Sequence, residues 1–446
     1  MRIPIGVVKE GERNPEHWFL LVGSPATPIE ESIVRSFDAD SSGNIYVGGW
    51  YRNTSKTSLR KYNNQGTIQF SKVFDRVAFE EEWFAQNAFN VSSSGNIYTA
   101  NIRNSSPHYI SRRDSSGAEQ WRITYTSGFW GAHSLDSSEN RYMVFSGFQS
   151  PNAMVFTKLN SSGSVLLQRM LRNNSVIDGN GTESADGIFA SVGPVIDSAG
   201  NIVVPASRQR NLLNSGWSEG AVVAKYNSSG TLQWQKLIVS PDGSRISPVG
   251  VALDSSNNIY LLIFDPGVNG NPSKAITVKL SPEGNILWQK NLFGANAYDV
   301  SKIHVDSSSN CYITGAAGSS MFYVKYDSSG VLQLQRVASI SSSNFQTVDS
   351  RLPKDSLILL QSTTYPYIGN KRHALLSLPT DGSVLGSYIL EGRAFTVSAG
   401  SFSESNGSLT ISNSTFLEGS PPSLFGGDPG ARGTVDVVLS DTIVKA

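Results

Sequence analysis

Two short turn motifs alternate along this chain and share one period. The first appears as DADSSGNIYVGGW at residues 38–50. It returns as NVSSSGNIYTA from Asn90, VIDSAGNIVVPA from Val195, ALDSSNNIYLLI from Ala252 and HVDSSSNCYITGA from His304. Aligned on its glycine, it falls at Gly43, Gly95, Glu139, Gly200, Asn257, Ser309, Asp355 and Gly407. The second motif sits between these copies, as in RKYNNQGTIQF, AKYNSSGTLQW and VKLSPEGNILW, with glycines at Gly66, Gly117, Gly163, Gly230, Gly284, Gly330 and Gly382. Interleaved turns with a period of roughly 50 residues are the mark of tandem duplication.

Each repeat reads as four strands. In the fifth copy, GVALD precedes a turn at SSNN, IYLLIF follows, and a longer loop leads to AITVKL, a turn at SPEG, and NILWQKNL. The strands are rich in Val, Ile, Leu, Tyr and Trp, and the turns in Ser, Asn, Asp and Gly. Four antiparallel strands at this period describe a blade of a β-propeller, an all-β fold. Seven repeats run over residues 33–390, and FTVSAGSFSESNGSLTIS with GTVDVVLSD reads as the start of an eighth. The expectation is therefore an eight-bladed propeller of four-stranded antiparallel blades. Residues 391–446 form the last blade, and a strand at 16–22, where HWFLLVGSP resembles LQWQKLIVSP, closes it. Residues 1–15 form an N-terminal arm, and 16–446 a single domain. Seven blades with a C-terminal appendage is the alternative.

VVAKYNSSGTLQWQK and VDSSSNCYITG resemble the bacterial propeller repeats whose consensus pairs DSSGNIYVTG with FVAKYDSSGNLLW. The resemblance covers nearly the whole chain. The glycine-rich, Asp-containing stretch that precedes the third strand in that family is absent from most copies here. The resemblance implies a propeller and little about its task.

Formal net charge is zero, with 36 basic and 36 acidic residues, which argues against a nucleic-acid partner. The single cysteine, Cys311, allows no intrachain disulfide and reads as a small apolar residue in a strand. The N-terminal stretch has no long apolar region after a basic start, so no secretory signal is expected. Without an apolar run of about 18 residues, no membrane insertion is expected either.

In a propeller, the A–B and C–D turns share one face, and the B–C and D–A loops share the other. One face then carries near-identical SSGN and NSSG turns, and the other carries loops of varied length. Variable loops on a rigid scaffold are where binding usually resides. The candidate binding residues are those of that face: Trp50, Tyr51, Trp83, Phe129, Trp130, Arg208, Arg210, Trp217, Tyr365 and Tyr367. They suit an aromatic platform for sugar rings or a protein partner. Trp121, Trp234 and Trp288 follow the C–D glycine by four residues and read as core between blades, with Trp18 in the same place.

A cation recurs at the end of the third strand, at Lys61, Arg113, Lys158, Lys225, Lys279 and Lys325. Such a ring suits an anionic ligand, but stems packed on a neighbouring strand with their charges in water explain it as well. Lys72, Arg169, Lys236, Lys290 and Arg336 read as guards of exposed sheet edges. DADSSGN places Asp38, Asp40 and Ser42 on alternate positions, as a calcium loop does, but has Gly49 where a carboxylate is required. It reads as a hairpin turn. The histidines share no metal-ligand spacing and no catalytic motif occurs, so neither a metal nor a cofactor is expected.

The expected role is a non-enzymatic structural or adhesive module, in a phage virion or tail by analogy. Its partners would be other structural proteins of an assembly or a cell-surface glycan. An extracellular carbohydrate-binding propeller is the alternative, and a polysaccharide-active enzyme the third reading.

Overall fold

Except at Gly407, the backbone takes positive φ at the described positions where the two turn motifs align. In the A–B turns these are Gly43, Gly95, Glu139, Gly200, Asn257 and Ser309, and in the C–D turns Gly117, Gly163, Gly230, Gly284, Gly330 and Gly382. The computed structural model describes residues 2–4, 18–22, 32–51, 56–64, 67–75, 89–100, 108–125, 129–148, 153–172, 187–190, 192–210, 217–267, 272–293, 299–317, 320–340, 344–352, 356–364, 371–383, 385–390, 393–413 and 417–419. At the outer ends of several strands only the backbone is described. No helix among the described residues is long and apolar enough to cross a membrane.

The described strands form seven antiparallel sheets. Their inner strands are Ser32–Ala39, Phe89–Val91, Phe129–Leu135, Gly187–Ala190 with Val195–Ile196, Ser247–Leu253, Asp299–Val305 and Asn344–Arg351. Each packs against the next sheet, and the last returns to the first. We number these sheets blades 1 to 7 and letter their strands A to D from the axis outward. Blade 5 is representative: Ser247–Leu253, Ile259–Asp265, Lys274–Leu280 and Ile286–Phe293 pair in sequence order.

The eight-bladed expectation is overturned by this pairing. Trp18–Val22 does close a blade, but as the outer strand of blade 7, where Phe19 pairs with Leu376 and Val22 with His373. Arg2–Pro4 adds a further strand outside it. With that place filled, Gly386–Leu390 cannot be the fourth strand of blade 7. It folds back as a hairpin on Arg393–Ala399, which pairs with the outer strand of blade 6. Among the described residues, the presumed eighth blade is neither a blade nor a separate appendage. Its strands Arg393–Ala399, Ser403–Asn406, Thr410–Asn413 and Leu417–Gly419 lie one after another on the outer edges of blades 6, 5, 4 and 3. GTVDVVLSD lies outside the described residues. The edge-guard reading changes with it, because Lys236, Lys290 and Arg336 sit on edges covered by these strands.

The core lies between blades, so the B and C strands bury both faces. Ile202, Val204 and Ala206 pack toward blade 3 with Tyr142 and Phe156, while Val203 packs toward blade 5 with Leu261 and Ile263. Two-sided burial is why runs such as IYLLIF lack polar alternation. Cys311 is fully buried in this core, and burial raises its thiol pKa.

Turn side chains join the blades. In blade 5, Asp254 accepts the backbone N–H groups of Ser256 and Asn258, the Asn258 amide and the Tyr260 hydroxyl. Lys279 reaches the same carboxylate at 3.4 Å, sits 4.8 Å from the Tyr260 ring centroid, and donates to Ser328 O in the C–D turn of blade 6. Trp288 donates its indole N–H to that same carbonyl. Lys225 and Trp234 converge in the same way on Pro282 O. Lys225 and Lys279 are thus built into blade junctions, buried and ion-paired, whereas Arg113 pairs with Glu119 of its own blade. Burial alone would raise the Asp254 carboxyl pKa. The Asn258 donors and Lys279 outweigh it and hold the group below the usual carboxylate range.

Blade 2 departs from this pattern instructively. It has Ser92 where blades 1 and 5 have Asp40 and Asp254. Glu139 from blade 3 supplies the missing carboxylate, accepting the Ser94 hydroxyl, the Asn96 amide and the Tyr98 hydroxyl, with Arg112 3.3 Å away. Burial opposes its ionisation, but these donors lower its pKa to about 2. Glu139 does this from a φ of 60°, a conformation that favours glycine. Glu139→Gly should therefore destabilise the protein by about 1–3 kcal/mol despite relieving the backbone. Ser92→Asp should recover much of that loss in the Glu139→Gly background, yet destabilise the protein when introduced alone beside Glu139. Denaturant unfolding of the four proteins measures this coupling.

Candidate ligand cavity in the central channel

Seven inner strands around an axis leave a channel, and a cavity of about 330 Å³ lies in it. Every blade contributes to its wall. The polar lining is Asp38, Asn90, His133, Ser134, Lys302, His304 and Arg351. These residues cluster in the later part of their strands, so the cavity sits toward the A–B turn end of the channel.

Glycine and a strand break shape the wall. The inner strand of blade 4 is interrupted between Ala190 and Val195, where VGP brings Gly193 against blade 3. A Cβ there would come within 3.0 Å of the His133 carbonyl oxygen. Ser134 donates its hydroxyl to Pro194 O and fixes the approach. Several inner strands also carry a bulge near their start, between Val34 and Ser36, Phe129 and Gly131, Pro248 and Gly250, Val300 and Lys302, and Thr347 and Asp349. A bulge re-aims the side chains that follow it.

Asp38 ties three blades together at the ring seam. Its Oδ1 accepts Arg351 Nε of blade 7 at 2.6 Å, and its Oδ2 accepts the Val91 backbone N–H of blade 2 at 2.8 Å. Asp40 instead faces its own turn, accepting Ser42 N, Asn44 N and Tyr46 OH. The two carboxylates that suggested a calcium loop serve different places. Among the described residues, no cluster of His, Cys, Asp and Glu could hold a metal ion.

His304 Nε2 lies 2.8 Å from Ser350 Oγ, which is 2.7 Å from Thr314 Oγ1. Burial, then the charges of Arg351 and Lys302, lower the His304 pKa to about 3. At neutral pH the imidazole is an uncharged hydrogen-bonding group. His133 faces Arg141, whose Nη2 is 3.3 Å from the ring. With His304 neutral, Lys302 and Arg351 face the single carboxylate of Asp38 in the wall.

Seven of the ten residues expected from sequence lie at the other end of the ring. Trp50 and Tyr51 end the B strand of blade 1, and Phe129 and Trp130 begin the A strand of blade 3. Arg208 and Arg210 end the B strand of blade 4, where Arg210 pairs with Trp217 at the start of the C strand. Topology thus gathers these seven positions on the B–C and D–A end. Arg208 is half-buried. The side chains of Trp50, Tyr51, Phe129, Trp130, Arg210 and Trp217, and all of Trp83, Tyr365 and Tyr367, lie outside the described residues. The channel residues were missed because the inner strands carry the weakest repeat signal. Their clue was a basic residue or histidine at Lys302, His304 and Arg351, positions where the repeat itself demands nothing.

No protein-family model matches the chain, and no curated protein matches it. Among solved structures, it is similar to the polysaccharide lyase Uly1, with 12% identity over 83% of this chain and 93% of that one, at a TM-score of 0.51. It is also similar to a PL25 ulvan lyase, with 11% identity over 81% of this chain and 96% of that one, at a TM-score of 0.53. The same ulvan lyase bound to -[GlcA(1-4)Rha3S]- matches with 11% identity over 81% and 96%, at a TM-score of 0.50. At such identity the likeness is one of fold.

The His304 environment has a pH consequence. The unfolded chain binds a proton near pH 6.5, but the folded one only near pH 3, so protonation favours unfolding. Stability from this group is complete above about pH 6.5 and falls as the solution is acidified, by up to about 1.4 kcal/mol per pH unit. Between pH 6.5 and 5, unfolding free energies of the wild type should fall more steeply than those of His304→Gln. Parallel curves would mean that the imidazole is equally protonatable in both states.

Proposed function

We propose that this protein is an adhesive, ligand-binding propeller that takes an acidic saccharide unit at the turn-side end of its channel. The observation that carries this reading is the cavity wall. Lys302 and Arg351 stand in it with a single carboxylate, Asp38, which is committed to Arg351 and the Val91 amide. A cavity of about 330 Å³ is at the small end of ligand pockets and suits a short segment of a chain rather than a large cofactor. Low-dielectric walls focus a cationic field on a ligand carboxylate or sulfate. A propeller of similar fold, the PL25 ulvan lyase, has been captured with a saccharide carrying a uronate and a sulfated rhamnose, which supports an anionic sugar over a neutral one.

Binding is favoured over catalysis by the state of His304. A general base near neutral pH needs a pKa near that pH, whereas His304 is held near 3 and is engaged with Ser350. A virion or tail remains the setting proposed for such a module. Its presence as a stoichiometric component of purified particles is the direct check of that setting.

Titration with uronate-containing and sulfated oligosaccharides, beside neutral ones of the same length, tests the site. Acidic ligands should bind, with affinity falling as salt rises. Lys302→Gln should weaken them at least about tenfold. Equal affinity for neutral sugars, or an unchanged Lys302→Gln, would refute the channel site. Loss of binding in Trp50→Ala, Trp130→Ala or Trp217→Ala alone would move recognition to the opposite face.

A further inference from the structure

The C-terminal strands keep a fixed pitch on the ring. On blade 6, Arg336 pairs with Ala399; on blade 5, Lys290 pairs with Asn406; on blade 4, Lys236 pairs with Asn413. The three cations are equivalent D-strand positions, so the belt advances seven residues per blade. On blade 3, Met170 pairs with Gly419, one position beyond Arg169, which continues the same count.

At blades 5 and 6 a glutamine reads the crossing chain. Gly400 N donates to Gln335 O at 3.1 Å and Gly407 N to Gln289 O at 3.0 Å. Each glutamine side chain then grips the residue two further on. Gln335 Oε1 accepts Phe402 N at 2.7 Å, and its Nε2 donates to Phe402 O at 2.9 Å. Gln289 does the same with Leu409, at 2.9 and 3.2 Å. The amide thus imitates a neighbouring strand, and three hydrogen bonds fix each crossing.

The residues between are selected by sterics and burial. A Cβ on Gly400 would lie 2.9 Å from Gln335 Cβ, and one on Gly407 would lie 2.8 Å from Gln289 Cγ. Either contact would push the glutamine off its grip. Phe402 packs on Phe322 with centroids 4.8 Å apart, and Leu409 is buried between blades 4 and 5. The recognised unit is Gly-Ser-apolar, seen as Gly400-Ser401-Phe402 and Gly407-Ser408-Leu409. The equivalent D-strand position is Gln235 in blade 4 and Gln168 in blade 3, the other two belted blades. It is Ser71, Arg122 and Phe19 in blades 1, 2 and 7.

We propose that these D-strand glutamines form a strand-recognition site on the outer rim, selective for a Gly-Ser-apolar unit repeated every seven residues. Its occupant is the chain's own segment 393–413. The site is a form of β-augmentation in which backbone pairing gives affinity and the glutamine grip gives register.

A full-length variant carrying Gly400→Val and Gly407→Val disables the belt but leaves the rim intact. Hydrogen exchange of amides 396–413 should be slow in the wild type and fast in this variant. A labelled peptide of sequence TVSAGSFSESNGSLTISN should bind the variant at least about tenfold more tightly than the wild type, whose rim is occupied. The same peptide with valine at both glycine positions should not bind. The pair Gln289→Ala and Gln335→Ala should free the same amides, yet take up no peptide. The proposal is overturned if the belt amides of the glutamine pair stay as protected as in the wild type. It is equally overturned if the valine peptide binds as well as the native one. Should the glycine variant fail to fold, the exchange measured in the glutamine pair decides alone.

Discussion

The ring depends on one repeated junction, in which a backbone carbonyl of a C–D turn accepts from a lysine and a tryptophan of the preceding blade. Ser328 O takes Lys279 and Trp288, and Pro282 O takes Lys225 and Trp234. Each lysine is also held by the carboxylate of its own A–B turn, Asp254 or Asp197. A buried ammonium is costly unless paired and hydrogen-bonded. Here the ion pair lies within one blade, but the carbonyl that completes the ammonium's hydrogen bonding comes from the next, so these lysines are fully satisfied only when the next blade is in place. Turn geometry, side-chain charge and ring closure are therefore a single requirement.

That requirement explains the two places where the pattern is broken. Blade 2 lacks the turn carboxylate, and Glu139 reaches across from blade 3 to restore it at some cost in backbone strain. At the seam, Arg351 of blade 7 meets Asp38 of blade 1, which also holds blade 2 through Val91. The same seam is closed outside by Trp18–Val22. The channel cavity inherits its charge from this joint, since Arg351 and Asp38 both line it.

The turn alignment was legible because its physical cause is local. A tight hairpin needs positive φ at one residue, so even Glu139, Asn257 and Ser309 could be placed by their distance from neighbouring copies. Trp121, Trp234 and Trp288, which pack against the clusters between blades, were legible for a similar reason, being fixed in offset from a glycine. The channel site was not. Asp38, Lys302, His304 and Arg351 are scattered over more than 300 residues, and each is one variable residue on an inner strand. The belt was misread because FTVSAGSFSESNGSLTIS offers strand, turn and strand in an order that also suits a blade.

By itself, the sequence determined the all-β repeat, the four-strand unit, its turns, and the residues that fill the space between blades. These follow from propensities and hydrogen bonds within about ten residues of each other. Only the tertiary structure decided how many blades close the ring, which terminus completes the last one, and that the C-terminal run wraps the rim. Those outcomes turn on which free strand edge a segment finds. Every edge offers the same backbone donors and acceptors, so the choice rests on side chains brought together from distant repeats, such as Gln289 with Leu409 and Phe322 with Phe402.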